Sequence, residues 1–312
     1  MEKKGEITSQ QIVMLVIVIA SFAVLLFFFF RLNLGNTTEE ELCHNSVLTR
    51  GSAVVPTDAV PLNCHRQYVC ITKAGGSCEG LTNPKRIEVN SLNETYKALA
   101  EQMANCWWMF GEGRVNYVGD DLKKNYYCSI CSQIYFDKSL KSITGEEIDK
   151  NELYNYLRSN KIDNKNTYAE YLFGSTDVES IKSENLKQTG VGSFGNIQID
   201  NPYFVVTGIM SQAGFLQWGG IAGTVGAVVG AAFFASNPIG WVVGAIVIGS
   251  AGGAIGSAGA GAYNVVESTD PEIVAISIDG RGIDNKFMVP TIIEANSVKF
   301  NALNCEEILT LA

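Results

Sequence analysis

Residues 201–266 contain no Asp, Glu, Lys or Arg, and 15 of the chain's 31 glycines fall between Gly208 and Gly261. A 66-residue stretch without charge has to be buried, either in lipid or in protein. Ser236-Asn237-Pro238 is a turn signal that divides the block into arms of residues 214–236 and 239–263. Within the arms, Gly219/Gly223, Gly226/Gly230, Gly240/Gly244, Gly249/Gly253 and Gly252/Gly256 stand four residues apart. On a helix such pairs share a face and let two backbones approach closely. The spacing therefore predicts a tight antiparallel helical hairpin over residues 201–266, packed through these glycines as a zipper. The Ile, Leu, Val and Phe of each arm supply roughly -2 to -5 kcal/mol of insertion energy, a marginal span. The hairpin is thus expected either to insert as a unit or with partners, or to be buried in the body or an oligomer core.

A second apolar block lies at the N-terminus. Residues 12–30 are interrupted only by Ser21 and end in four consecutive phenylalanines before Arg31. As a helix at about 1.5 Å per residue, the run matches a hydrocarbon core of about 30 Å. Fifteen of its residues are Ile, Leu, Val or Phe, worth roughly -5 to -9 kcal/mol on insertion. A cleaved secretory signal is usually shorter and followed by small residues, so a retained signal-anchor over residues 1–31 is expected. Lys3 and Lys4 before the run and Glu39, Glu40 and Glu41 after it favour an N-terminus on the cytoplasmic side. The segment Lys3-Lys4-Gly5-Glu6-Ile7-Thr8-Ser9-Gln10-Gln11, followed by an apolar run, resembles the archaeal class III (type IV pilin-like) signal. That resemblance implies cleavage after Gly5 with the helix kept on the mature protein, although Glu6 and Gln10 stand where the family commonly has Gln and an acidic residue. An acidic ectodomain behind such an anchor is similar to membrane-anchored surface proteins of small-genome archaea.

Seven of the eight cysteines (Cys43, Cys64, Cys70, Cys78, Cys106, Cys128 and Cys131) lie in one region, with Cys305 near the end. An even count behind an export signal points to disulfides in an oxidising compartment. Eight cysteines allow about 105 pairings, so connectivity is open. A zinc site drawn from Cys43-His44, Cys64-His65, Cys70, Cys78 and Cys128-Ser129-Ile130-Cys131 is the alternative, but only one CxxC is present. That CxxC is also a candidate redox pair. It sits among strand formers, whereas thioredoxin-like motifs open a helix that lowers the thiol pKa, so a structural role is expected.

Short strands are expected at residues 67–72 and 86–89. The spacing of Tyr96, Leu99, Met103, Trp107 and Phe110 predicts a helix over residues 91–110. Its terminal cluster Cys106-Trp107-Trp108-Met109-Phe110 is expected to be core around a half-cystine, with an aromatic ligand platform or a membrane-interface belt as alternatives. Thr144 and Glu147 form a capping-box pattern for a helix to Arg158, and residues 168–173 read as a short helix. Residues 177–195 read as a loop. Strands are expected at residues 203–207, 272–278 and 288–294, with the hairpin inserted between the first two and a turn from Asp279 to Asp284. That turn offers two carboxylates without the alternation of a Ca²⁺ loop and reads as solvated. Asn36 and Asn93 begin glycosylation sequons.

The resulting expectation is an α+β chain: an N-terminal transmembrane helix over residues 1–31 and a disulfide-rich mixed ectodomain over 32–200. A Gly-rich helical hairpin over 201–266 and closing strands over 267–312 complete it. The formal net charge of -9 and two histidines exclude a basic nucleic-acid face and a histidine-rich metal centre. No phosphate loop, nucleophile elbow or metalloprotease motif stands in a supporting context. The expected function is that of a non-enzymatic, cofactor-free cell-surface protein with an extracellular ectodomain. Its expected partners are the lipid bilayer and, through the hairpin, copies of itself or other membrane proteins. A pore-forming or bilayer-perturbing protein is the alternative, and a thiol-disulfide oxidoreductase using Cys128 and Cys131 the second.

Overall fold

The structure is a computed structural model that describes residues 9–31, 38–52, 56, 59–119, 122, 126–174, 194–211, 228–236, 242–248, 272–279, 285–297, 300, 301, 303 and 305–311. Residues 9–11, 25–31, 228–236, 242–248, 272–279 and 286 are described by their backbone alone. The chain divides into two units, Met1–Glu39 and Glu40–Ala312. Gly5, Asn36, the loop at 177–193 and the turn at 280–284 lie outside the described residues, as do Gly219, Gly223, Gly226, Gly240, Gly249, Gly252, Gly253 and Gly256.

The first unit contains helix α1 (Ser9–Arg31), 23 residues covering the whole N-terminal apolar run. Among the described residues no helix is long and apolar enough to cross a membrane. The side chains of α1 are described for residues 12–24, a stretch rising about 20 Å, which alone falls short of a hydrocarbon core of about 30 Å.

The second unit is built on a nine-stranded sheet. Its main-path strands are β1 (Gln67–Lys73), β2 (Lys85–Val89), β3 (Tyr126–Phe136), β6 (Tyr203–Ser211), β7 (Val228–Ser236), β8 (Val242–Ile248), β9 (Glu272–Asp279) and β10 (Asn285–Glu294). They run in the order β2-β1-β3-β6-β10-β9-β8-β7, and β11 (Glu307–Ile308) joins alongside β3. β1 pairs in parallel with the C-terminal half of β3, while β11 pairs in parallel with Tyr127 and Cys128 at its start. The short strands β4 (Glu147–Asp149) and β5 (Asn196–Gln198) pair separately. Helices α2 (Glu39–Arg50), α3 (Leu92–Met109), α4 (Lys141–Thr144), α5 (Lys150–Ser159) and α6 (Tyr168–Phe173) complete the unit.

Alternation divides the sheet into two cores. Along β6, Tyr203, Val205 and Ile209 join the cluster that holds the residues of α3, α5 and α6, whereas Phe204, Val206 and Met210 join a second cluster with Leu303 and Cys305. β3 and β10 each switch parity once. A bulge between Ile130 and Ser132 separates Tyr126, Cys128 and Ile130, on the second cluster, from Ile134 and Phe136 on the first. Another between Met288 and Thr291 contains Pro290, which has no N–H to give a ladder.

Three expectations change. First, residues 228–236 and 242–248 are antiparallel strands, not helical arms, and β8 continues onto β9. Ser236 pairs with Val242, and residues 237–241, with the expected turn at Asn237-Pro238, lie outside the described residues. β-branched Val228, Val229, Val242, Val243, Ile246, Val247 and Ile248 favour a pleated strand, and each glycine costs a helix about 1 kcal/mol. Gly230 lies opposite Ile246 and Gly244 opposite Ser277, while Gly226 and Gly240, spaced four residues from them, lie outside the described residues. Second, the segment is not a unit apart from the strands around it: along the chain it lies between β6 and β9, as expected, and its strands β7 and β8 extend their sheet beyond β9. Third, Thr144 ends α4 instead of capping a long helix; α5 begins later, with Asp149 accepting from the backbone N–H of Asn151. The capping box belongs to α6, where Thr167 and Glu170 satisfy each other's backbone N–H.

Candidate functional site

All eight cysteines are in disulfides: Cys43–Cys64, Cys70–Cys78, Cys106–Cys131 and Cys128–Cys305. The two cysteines of the CxxC do not bond to each other. Three residues apart on a strand, they face opposite sides of the sheet, Cys131 toward α3 and Cys128 toward the C-terminal segment. Both are buried, at 2% and 0% exposure, so neither sulfur is presented to a substrate disulfide. The zinc alternative loses its thiolates to the bridges, and among the described residues no three His, Cys, Asp or Glu side chains converge on a metal position.

The glycine-rich segment supplies one end of the sheet. β7 is its last strand, and among the described residues only β8 stands beside it. β2, at the opposite end, carries Lys85, Arg86 and Glu88, the charged protection common on sheet edges. β7, Val-Val-Gly-Ala-Ala-Phe-Phe-Ala-Ser, carries no charge.

An open groove of about 460 Å³ lies between α3 and α6. Glu101, Asn105 and Trp108 line it from successive turns of α3, and Asp163, Tyr168 and Tyr171 line the opposite wall. The cluster ending α3 therefore divides. Cys106, Trp107, Met109 and Phe110 are buried, as core packing requires, while Trp108 is half-buried on the groove. The imidazole of His44, from α2, stacks on Trp108 with ring centroids 4.0 Å apart and planes 12° from parallel. His44 Nδ1–H donates to the Trp108 carbonyl oxygen at 2.6 Å, which fixes the imidazole against the indole. On the other wall, Tyr171 Oη donates to Glu112 Oε1 at 2.7 Å, and Arg114 pairs with the same carboxylate at 3.0 Å. Glu112 holds a left-handed backbone, φ 55°, uncommon for a residue with a side chain.

Both carboxylates of the groove have partners. Glu101 pairs with Lys97 at 3.7 Å. Asp163 accepts from the backbone N–H of Lys165 and of Asn166, each at 2.6 Å, bonds that hold its carboxyl below the usual range. Tyr168 is buried, and desolvation, with Glu101 and Tyr156 nearby, pushes its phenol up to about 12. Asn105 also reaches the Glu40 carboxylate, which Lys85 binds at 2.6 Å. Asn93 is exposed near the start of α3, while Thr95 of its sequon is buried and donates through Oγ1 to the Ser91 carbonyl oxygen.

No protein-family model, curated protein or solved structure matches the chain.

The groove was only partly legible in the sequence. Trp108 stood out as an aromatic. Tyr168, Tyr171 and Asp163 lie more than fifty residues away from it along the chain, and no local pattern joins them.

Proposed function

We propose that the chain is a non-enzymatic, membrane-anchored cell-surface protein whose body lies outside the cell and assembles with copies of itself through the charge-free end of its sheet. The carrying observation is the pairing of all eight cysteines behind a 23-residue apolar helix. Stable structural disulfides belong to exported proteins, and α1 taken whole rises about 34 Å, enough for a bilayer core. Its described side chains from Ile12 to Val24 are apolar except for Ser21, which suits lipid contact. The pilin-like signal supports the same anchor, with the bilayer as its partner.

Assembly rests on β7. Natural edge strands are usually blunted by charge, proline or a covering element; β7 carries neither charge nor proline over nine residues. A second copy of β7 would extend the ladder by main-chain hydrogen bonds. A membrane pore is less favoured: lipid-spanning strands alternate apolar and polar residues, and β7 and β8 together carry Ser236 as their one polar residue.

Light scattering of the full chain in detergent tests the assembly. Wild type is expected as a dimer or larger, and Ala231→Lys, which puts a charge on β7, as a monomer with unchanged disulfides. A monomeric wild type, or an unchanged mass for Ala231→Lys, removes the assembly reading.

A further inference from the structure

We infer that the groove between α3 and α6 is a binding site for a neutral polyhydroxylated ligand, a sugar ring of a glycan, stacked on Trp108. This reading is independent of the anchor and of β7.

The argument begins with what the lining can recognise. Aromatic residues line both walls, Trp108 on one and Tyr168 and Tyr171 on the other, and Glu101, Asn105 and Asp163 add planar polar groups. Among the described residues that line it there is no Lys, Arg or His, so an anionic ligand would find no cation on the lining itself. A purely apolar ligand would stay largely wet in so open a groove and leave the polar rim without partners. A cation would need uncompensated negative charge. Glu101 already faces Lys97, and Asp163 is occupied by the Lys165 and Asn166 amides with the Lys165 charge nearby. What remains is hydrogen-bonding capacity beside an aromatic plate. A pyranose fits that combination, because it has an apolar C–H face and a rim of hydroxyls that both donate and accept.

The plate is also held in advance. His44 backs one face of Trp108 and is itself tied to the Trp108 carbonyl, while Cys43, the residue before it, is fixed by the bridge to Cys64. An indole already immobilised loses less side-chain entropy on binding, so more of the stacking energy appears as affinity. On the far wall, the Thr167–Glu170 capping box and the Tyr171–Glu112 bond hold α6 in place.

The test is isothermal titration calorimetry of the full chain in a detergent without a sugar headgroup. The probes are maltotriose, cellotriose and triacetylchitotriose, with tetramethylammonium as the cation probe. At least one trisaccharide is expected to bind saturably, with affinity unchanged between about 50 and 500 mM salt, a range over which exposed charge contacts are strongly screened. Trp108→Ala is expected to weaken that binding about tenfold or more, as loss of a stacking face requires, and Trp108→Phe to restore most of it. His44→Ala leaves the indole in place but unbacked, and an intermediate loss is expected. An unchanged melting temperature shows that the variants remain folded. Absence of heat with all three trisaccharides overturns the inference, as does full affinity in Trp108→Ala. Saturable, salt-sensitive binding of tetramethylammonium in place of the sugars would make it a cation site and equally overturn it.

Discussion

Gly208 shows how closely the sheet's second face is packed. A Cβ built there would lie 2.5 Å from the Tyr127 carbonyl oxygen, 2.6 Å from Tyr126 Cε2 and 2.7 Å from its hydroxyl. The buried Tyr126 ring crosses β6 at this point and donates its O–H to Met288 Sδ at 2.7 Å. Gly208→Ala is therefore expected to destabilise the body by about 1–3 kcal/mol, seen as a lower midpoint in non-reducing guanidinium unfolding. A midpoint equal to wild type would mean that Tyr126 lies elsewhere. Tyr168 gives a pH prediction. Its folded pKa of about 12 stands above an ordinary 10.0, so the fold favours the neutral phenol. The associated stability is complete below pH 10 and is lost as pH rises toward 12. Unfolding midpoints measured across that interval are expected to fall, and Tyr168→Phe to flatten the fall. At this scale the sequence was readable where a residue's role is set by near neighbours: Leu99, Met103 and Trp107, at helical spacing, are core. It was not readable for Trp108, whose surroundings come from α2 and α6.

Among the elements, periodicity placed β1, β2, β6, β9, β10 and α3 within a few residues of their observed limits, because each has an alternating or helical apolar pattern of its own. The glycine block was misread for a definite reason. A four-residue interval keeps two residues on one face of a helix, but it is also an even interval, so it keeps them on one face of a strand. Spacing alone cannot separate the two; the runs Val228-Val229, Val242-Val243 and Ile246-Val247-Ile248 carry the deciding preference. The CxxC shows the converse, since an odd interval on β3 assigns its cysteines to different cores. The bridges should differ in strength. Cys128–Cys305 spans 177 residues and Cys70–Cys78 spans 8. Loop-closure entropy makes the first worth about 5 kcal/mol and the second about half as much. Replacing Cys128 and Cys305 together by Ser is expected to lower the unfolding midpoint about twice as far as replacing Cys70 and Cys78. Equal losses would contradict the account of a body closed by its C-terminal segment. For α6, Thr167→Ala removes the capping box and is expected to cost about 1 kcal/mol.

At the scale of the whole molecule, the low charge content separates into two parts with different fates. The N-terminal run becomes one long helix in a unit of its own, while the glycine-rich block becomes strands in the sheet of the body. A membrane is therefore invoked for the first alone, and for the second a neighbouring copy. The disulfides join these proposals, because stable bridges are characteristic of exported proteins and their pattern ties down both faces of the sheet. The most direct test is mass spectrometry of unreduced peptides from the chain recovered in the membrane fraction of its host, after blocking any free thiols. The account predicts linkages Cys43–Cys64, Cys70–Cys78, Cys106–Cys131 and Cys128–Cys305 with no blocked cysteine. Recovery of the chain in the soluble fraction with blocked thiols, or a Cys128–Cys131 linkage, would contradict it.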